Sequence, residues 1–237
     1  MFILGDIHGY SLGGFDHLKF LIKTRISDSN IIQVGDFGMS NNIVLMTNTL
    51  IELNRLLGES GNKLYVIRGN HDNPAFWNGT HIYEHLELVP DYETRVIEDK
   101  TVLFVGGAIS IDRVDRIKVG HPYWVDEVFV LDEDKLKGVK GVDIVVTHSS
   151  PRFAFPQTIG GVVNNYIAGD PTLIQELGVE RFDHTVMYDI LKENNDITDW
   201  YYGHFHTNKL TLHEGVRFRV VGVKDTHHLR TEAEYGN

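Results

Sequence analysis

Short apolar stretches recur along the chain, and each of them runs into a glycine, a histidine or another polar residue. The five stretches are residues 2–4, 31–34, 64–67, 144–146 and 200–202. Their length and their content of Val, Ile, Leu and Tyr are typical of β-strands. We therefore predict five strands that end at the same kind of place.

Residues with helical spacing lie between the first three stretches, at 14–24 and 42–57. In the second of these segments, apolar residues recur every three or four positions, as on one face of a helix. An alternation of strands and helices favours βαβ units and a largely parallel sheet. In such sheets ligands bind beyond the carboxyl ends of the strands, where the polar residues fall.

The remaining pattern adds further elements to this α/β organisation. Residues 93–109 predict two strands, and residues 208–223 predict a hairpin that turns at Glu214 and Gly215. A helix near 182–195 should precede a strand at 198–202. We expect antiparallel strands at the margins of the sheet.

The segment 151–181 differs from its surroundings because it has little periodicity and several Gly and Pro residues. Such composition favours a loop, and we expect it to act as a cap or specificity loop over a site. The chain has no internal repeat, low-complexity tract or linker. We therefore predict a single domain over residues 1–237.

The formal net charge is −11, and the basic residues form no stripe, which disfavours binding to extended duplex nucleic acid or to a membrane surface. The longest apolar run, 102–109, is too short to span a bilayer. The first residues lack the features of a signal peptide, and cysteine is absent. These observations favour a soluble cytoplasmic protein whose anionic substrate, if it has one, is attracted locally.

Carboxylate, amide and imidazole side chains follow all five predicted strands. They are Asp6, His8, Asp36, Asn70, His71, His148, His204 and His206. Each alone has an ordinary explanation, as a helix cap, a turn residue or a buried histidine. Their repetition at strand ends favours a site for metal ions held by nitrogen and oxygen.

The stretch YYGHFHTN at 201–208 illustrates the expected geometry. In an extended backbone, residues i and i+2 point to the same face, so His204 and His206 can converge on one target.

The ordered motifs are GDIHG at 5–9, GD at 35–36, GNHD at 69–72, TH at 147–148 and GHFH at 203–206. Together they resemble the signature of the calcineurin-like metallophosphoesterase superfamily. A weaker resemblance, at 107–113 and at Tyr123-Trp124, is to a bacterial and phage branch of it. The resemblance implies an α/β fold in which a mixed β-sandwich is flanked by helices, in αββα layers.

The resemblance also implies two divalent ions, with manganese, iron and zinc as the candidates. One ion would take Asp6, His8 and His206, the other would take Asn70, His148 and His204, and Asp36 would bridge them. Two-metal sites hold their ions about 3.5–4 Å apart. This spacing would explain why two neighbouring histidines serve different ions.

The implied activity is hydrolysis of a phosphate ester. A hydroxide formed at the ions would attack phosphorus, His71 would protonate the leaving group, and Asp72 would orient His71. The substrate would be a phosphorylated small molecule, a nucleotide or a phosphoprotein.

One motif departs from the phosphatase branches, which carry GDxVDRG. Here Met39 and Ser40 stand where an Asp and a phosphate-binding Arg would be. The candidates to replace that arginine are Arg68, Arg113, Arg116 and Arg152.

The absence of this arginine slightly favours phosphodiesters or nucleotides as substrates. The alternatives are a serine/threonine-type protein phosphatase, another phosphomonoesterase, or a non-catalytic scaffold with the same fold. The sequence leaves the monoester or diester preference, the metal and the oligomeric state open.

Overall fold

The computed structural model describes residues 1–156 and 162–229. The strands, in chain order, are β1 (Phe2–Leu4), β2 (Asn30–Gln33), β3 (Lys63–Val66), β4 (Leu86–Leu88), β5 (Glu93–Ile97), β6 (Lys100–Val105), β7 (Ile144–Thr147), β8 (Asp199–Tyr202), β9 (Lys209–His213), β10 (Val216–Val220) and β11 (Thr226–His228). The α-helices are α1 (Gly14–Thr24), α2 (Ile43–Glu59), α3 (Arg113–Val119), α4 (Glu133–Gly138), α5 (Val162–Ile167) and α6 (Leu173–Asn194).

The strands form two mixed sheets. The first has the order β11-β1-β2-β3-β4, with β1 to β4 parallel and β11 antiparallel at the edge. The second has the order β5-β6-β7-β8-β10-β9, with its four central strands parallel and antiparallel strands at both edges. The parallel pairing, the antiparallel margins and the two sheets of the predicted β-sandwich are confirmed. The strand pattern by itself indicated one sheet, and the division into two was implied by the family resemblance.

The two sheets pack face to face over a shared apolar layer. Ile3 and Ile32 of the first sheet belong to the same buried cluster as Phe104 and Val146 of the second. Successive strand residues point to opposite faces, so Ile31, the neighbour of Ile32, packs instead toward the helices. Strand β2 therefore buries an apolar side chain on each of its faces.

Helices cover the outer faces of both sheets. Residues of α1 and α2 share a buried cluster with the first sheet, and residues of α4 and α6 share one with the second. The predicted αββα layers are confirmed. Helix α1 has the predicted bounds, and α2 begins after Asn42, whose Oδ1 accepts a hydrogen bond of 3.1 Å from the Leu45 N–H.

The predicted hairpin is confirmed as β9 and β10. Its two-residue turn has positive φ at both positions, 47° at Glu214 and 86° at Gly215, which suits the twist of the flanking strands. In the part of the chain that the structure describes, no helix is both long and apolar enough to cross a membrane.

The segment 151–181 is not the continuous loop that its composition indicates. Helix α5 lies within it, and α6 begins at Leu173 instead of near 182. Leu173 and Leu177 pack on Ile109, and this burial outweighs the roughly 1 kcal/mol that a glycine such as Gly178 costs inside a helix. Residues 157–161 lie outside the described residues.

Candidate metal centre

The polar side chains that follow β1, β2 and β3 in the first sheet meet those that follow β7 and β8 in the second. Asp6 of the first sheet lies beside His206 of the second, with 3.5 Å between Oδ2 and Nε2. Asn70 lies beside His148, with 3.0 Å between Oδ1 and Nε2. The sandwich therefore brings together residues that are far apart along the chain.

A first cluster contains Asp6, His8, Asp36 and His206. Each offers one donor atom, and these four atoms lie within 4.8 Å of one another. The Nε2 atoms of His8 and His206 are 3.1 Å apart, and Nε2 of His8 is 3.8 Å from Oδ2 of Asp36.

A second cluster lies on the other side of Asp36. Oδ1 of Asn70 is 3.0 Å from Nε2 of His148 and 2.9 Å from Nδ1 of His204. Nε2 of His148 is also 3.3 Å from Oδ1 of Asp36. The two carboxylate oxygens of Asp36 thus face different clusters.

The spacing of these donor atoms fits metal coordination. Bonds of about 2.0–2.2 Å to nitrogen and oxygen separate neighbouring ligand atoms by about 2.8–3.5 Å in tetrahedral or octahedral geometry. Most of the contacts within each cluster, at 2.9–3.5 Å, fall in that range. The first cluster, Asp6, His8, Asp36 and His206, can therefore hold a divalent metal ion.

The backbone at this site differs from the expectation. His8, Asp36, His204 and His206 have φ of 53°, 53°, 66° and 50°, in the left-handed region. His204 and His206 therefore do not converge through an extended strand, because β8 already ends at Tyr202. Such residues each cost on the order of 1–3 kcal/mol and persist only where the surrounding structure imposes them.

Two glycines allow the chain to approach the carboxylates. A Cβ at Gly69 would lie 2.1 Å from Oδ1 of Asp36, and a Cβ at Gly203 would lie 2.0 Å from Oδ1 of Asp6. No side chain fits at these distances. Steric crowding thus explains why the first residue of the GNHD motif and of the GHFH motif is glycine.

Burial and charge shift the pKa values of these groups. Burial raises the pKa of Asp6 well above its usual value. Burial acts in the same direction on Asp36, but His148, His71 and His8 together outweigh it and hold the pKa of Asp36 well below its usual value. Burial opposes a charge on His148, yet Asp36, Asp6 and the hydrogen bond to the Val34 carbonyl together outweigh burial and raise the pKa of His148 to about 9.

Hydrogen bonds from outside the clusters fix the orientation of two donors. Nδ1 of His148 lies 2.7 Å from the carbonyl oxygen of Val34, which turns Nε2 toward Asp36. Nδ2 of Asn70 donates to Oγ of Ser110 at 2.8 Å, which directs Oδ1 to the histidines. Ser110 in turn contacts the buried pair of Arg116 and Glu127.

The sequence model of the family described as calcineurin-like phosphoesterase matches residues 1–208. The chain belongs to this family. A calcineurin-like phosphoesterase is a hydrolase of phosphate esters that uses divalent metal, and the resemblance in the motifs is thereby confirmed.

Two solved structures are similar to this calcineurin-like phosphoesterase. Phosphopantetheinyl hydrolase (PptH) from Mycobacterium tuberculosis is 17% identical, with 94% of this chain and 89% of that chain covered and a TM-score of 0.48. GAP50, the anchor in the inner membrane complex of Plasmodium, is 14% identical, with 94% and 71% covered and a TM-score of 0.44. A comparison with curated proteins gives no match.

His71 lies at the site, but Asp72 does not orient it. The Asp72 carboxylate is buried and accepts hydrogen bonds from the backbone N–H groups of Phe37, Gly38, Met39 and Gly69. These bonds tie the loop that carries Asp36 to the loop that carries Asn70. The expectation for Asp72 is corrected accordingly: its contacts are those of an anchor for the two loops.

The arginines expected to bind substrate are not available for that role. Arg68 donates to Asp91 and to the carbonyls of residues 126–128, so its guanidinium is already hydrogen-bonded within the fold. Arg113 is bound by Asp170 and Glu176. Arg116 is buried against Glu127. Charge pairing within the fold accounts for these three side chains.

Arg152 is exposed, and it does not line the described cavities beside the clusters. Nothing in the described residues brings it to the site. Its role as a substrate contact therefore stays a prediction.

Arg181 on α6 was missed by the reasoning from sequence. Only 9% of it is exposed, and its guanidinium lies 3.7 Å from the ring centre of Phe155. It lines a cavity together with Asp36, His71 and His204. Within residues 1–156 and 162–229 no hydrogen bond or ion pair holds its guanidinium; the charge of the neighbouring Glu180 acts on it from a distance and favours its charged form, against burial. A buried guanidinium without a direct hydrogen-bond partner favours an anionic ligand beside it.

Proposed function

We propose that this calcineurin-like phosphoesterase binds two divalent ions and hydrolyses phosphate esters at them. The observation that supports this most is the position of Asp36, whose Oδ2 is 3.8 Å from His8 and whose Oδ1 is 3.3 Å from His148. A bridging carboxylate must face two clusters in this way. The proposed ligands are Asp6, His8 and His206 for one ion and Asn70, His148 and His204 for the other.

Two such ions supply an ionised water near neutral pH and positive charge for the phosphoryl oxygens. The donor set of nitrogen and oxygen suits manganese, iron or zinc. Two divalent ions carry +4, and Asp6 and Asp36 return −2. The proposed pocket is thus cationic in a chain of net charge −11, and it attracts an anionic ester.

His71 is the proposed general acid. Its backbone N–H donates to Oδ1 of Asp36 at 2.8 Å, which holds the residue at the site. Its ring centre lies 5.5 Å from that of His8, and its side chain lines the cavities beside the clusters. A proton from His71 would neutralise the leaving alkoxide.

Arg181 is the proposed phosphate contact in place of the missing motif arginine. Its guanidinium lies over Phe155 and has no carboxylate at ion-pair distance in the described residues, although the charge of Glu180 acts on it. A phosphate oxygen would give it a direct charged hydrogen-bond partner.

The two-ion proposal is tested with Asp36→Asn. Metal content is measured by elemental analysis after dialysis, and hydrolysis of aryl phosphates is measured with added manganese, iron or zinc. We expect the variant to lose bound metal, and we expect its rate of hydrolysis to fall at least 100-fold, because one neutral amide cannot replace a carboxylate shared by two ions.

Asp16→Asn is the matched control, since Asp16 is exposed on α1 and touches neither cluster. It should keep the metal content and rate of the wild type. If Asp36→Asn retained both, the bridging role would be wrong. If the folded wild type turned over no ester with any of the three metals, the proposed activity would be wrong.

The role of His71 has a separate test. His71→Asn should reduce the rate by about 100-fold or more for an alkyl phosphate, whose leaving group needs a proton. The same variant should reduce the rate far less for a 4-nitrophenyl ester, whose leaving group departs as a stable anion. Equal losses for both esters would contradict general acid catalysis by His71.

A further inference from the structure

Two cavities adjoin the proposed metal centre, and His71 and Asp112 lie in the walls of both. The first, the Trp124 cavity, has a volume of about 420 Å³. The second, the Tyr166 cavity, has a volume of about 320 Å³. Each volume is within the range of pockets that hold small organic ligands. The centre therefore has space for organic groups in two places.

The Trp124 cavity is lined by side chains that the fold holds in place. The residues that matter here are Tyr10, Leu45, His121 and Trp124. The Tyr10 hydroxyl is 2.7 Å from Oγ1 of Thr49, and Trp124 Nε1 donates to Asn41 at 3.2 Å. Two fixed aromatic rings suit a flat or apolar group. His8 of the first cluster lies in the same wall.

The Tyr166 cavity has a mixed lining. Its apolar part includes Ile111, Val163, Tyr166 and Leu177, and Arg181 lies over Phe155 in the same lining. Four proposed ligands also line it, and these are Asp36, Asn70, His204 and His206. An apolar group bound here would have its phosphorus beside the clusters.

The shared wall contains an unpaired acceptor. Oδ1 of Asp112 is buried and has no hydrogen-bond partner among the described residues. Asp112 also does not cap α3, although it precedes that helix. A buried carboxylate oxygen without a donor is unfavourable, so a hydroxyl or amine of a bound molecule would stabilise it.

We infer that the substrate of the proposed activity is a phosphodiester whose two alcohol groups occupy the two cavities. This inference rests on the proposed function. Hydrolysis consumes one water: its oxygen forms a bond to phosphorus, and the bond from phosphorus to one alcohol oxygen breaks. That alcohol leaves with a proton, and the phosphomonoester keeps the other group.

A monoester fits this surface less well. It has one organic group and would leave the second cavity to water, and its second negative charge needs cationic partners in addition to the proposed ions. Among the described residues that line the cavities, the cationic side chains are Arg116 and Arg181. Arg116 is already paired with Glu127, which leaves Arg181.

The test fills each cavity separately. Leu45→Trp narrows the Trp124 cavity and Val163→Trp narrows the Tyr166 cavity. Leu45 is 41% exposed. Val163 is partly exposed but packs on the buried cluster of Ile109, Leu173 and Leu177, so urea denaturation is used to check that both variants fold. Val179→Trp, at a position of α6 that is 52% exposed and lines neither cavity, is the control. The measured quantity is the ratio of kcat/KM for bis(4-nitrophenyl) phosphate to that for 4-nitrophenyl phosphate.

We expect each cavity variant to lower this ratio at least tenfold and the control to leave it unchanged. A binding measurement accompanies the kinetics. Diphenylphosphinate has two arms joined to phosphorus by carbon and cannot be hydrolysed, whereas phenylphosphonate has one arm. Binding is measured by calorimetric titration. In each cavity variant the affinity for diphenylphosphinate should fall at least tenfold, and the affinity for phenylphosphonate should fall much less.

The possible failures are distinguishable. Turnover of both esters with a ratio that neither variant changes, or that only one variant changes, would overturn the diester inference and leave the proposed hydrolase standing. No turnover of either ester by the metal-loaded wild type would overturn the proposed function and the inference with it.

Discussion

The replacement Asp72→Asn separates two roles for this carboxylate. Oδ2 of Asp72 accepts from the N–H groups of Gly69 at 2.8 Å and Phe37 at 3.0 Å. Oδ1 accepts from the N–H groups of Gly38 at 2.6 Å and Met39 at 2.9 Å. An asparagine keeps one oxygen and turns an NH₂ group toward the other two donors.

Two buried N–H groups therefore lose their acceptor. Each unsatisfied group costs about 1–3 kcal/mol, so the free energy of unfolding should fall by about 2–6 kcal/mol. Domains of this kind are stable by about 5–15 kcal/mol, so the variant should still fold. The loop that carries Asp36 is also released, and metal binding should weaken with stability.

Urea denaturation at a fixed manganese concentration measures the change, with Asp126→Asn, an exposed position, as the control. A carboxylate that oriented His71 would behave differently, because its loss would reduce kcat and leave the fold intact. An unfolding free energy within about 0.5 kcal/mol of the wild type, together with a large loss of kcat, would refute the anchoring role.

Three further outcomes are expected. Ser110→Ala should weaken metal binding about 10-fold, measured by calorimetric titration, because Asn70 loses the hydrogen bond that orients its amide; unchanged affinity would show that the amide needs no such support. Arg181→Met should raise KM for aryl phosphates about 10-fold while the fold persists, and an unchanged KM would exclude it as a phosphate contact. His184 is buried, and burial lowers its pKa to about 4 from 6.5. As the pH falls, the unfolded chain takes up a proton at this histidine before the folded chain does, so the free energy of unfolding should fall by up to about 3 kcal/mol between pH 6.5 and 4. His184→Leu should remove this part of the pH dependence, measured by urea denaturation at several pH values. The same pH dependence in both proteins would contradict the assignment.

Local patterns in the sequence predict much of this fold. The bounds of α1 and the turn at Glu214 and Gly215 follow from periodicity and turn chemistry that a few neighbouring residues determine. The division into two sheets follows from packing between strands distant in sequence, and periodicity carries no information about it. The start of helix α6 was predicted too late because residues 151–181 show little periodicity and several Gly and Pro residues, whereas packing of Leu177 on Ile109 extends the helix.

The candidate site was predictable to a similar extent. Its donors follow strands, and strand ends can be located from sequence. The role of Asp72 was not predictable, because its partners are backbone N–H groups, which leave no signal in side-chain identity. Arg181 was missed for another reason: its place at the cavity depends on how α6 packs, not on any motif around it.

The left-handed backbone at His8, Asp36, His204 and His206 lowers the thermal stability of this enzyme at residues that the proposed activity needs. Glycine adopts that conformation without steric conflict, so a search for heat-resistant variants would favour glycine at positions 8 and 206. Such variants would survive warming better and hydrolyse nothing. Selection for endurance must therefore be coupled to a screen for turnover.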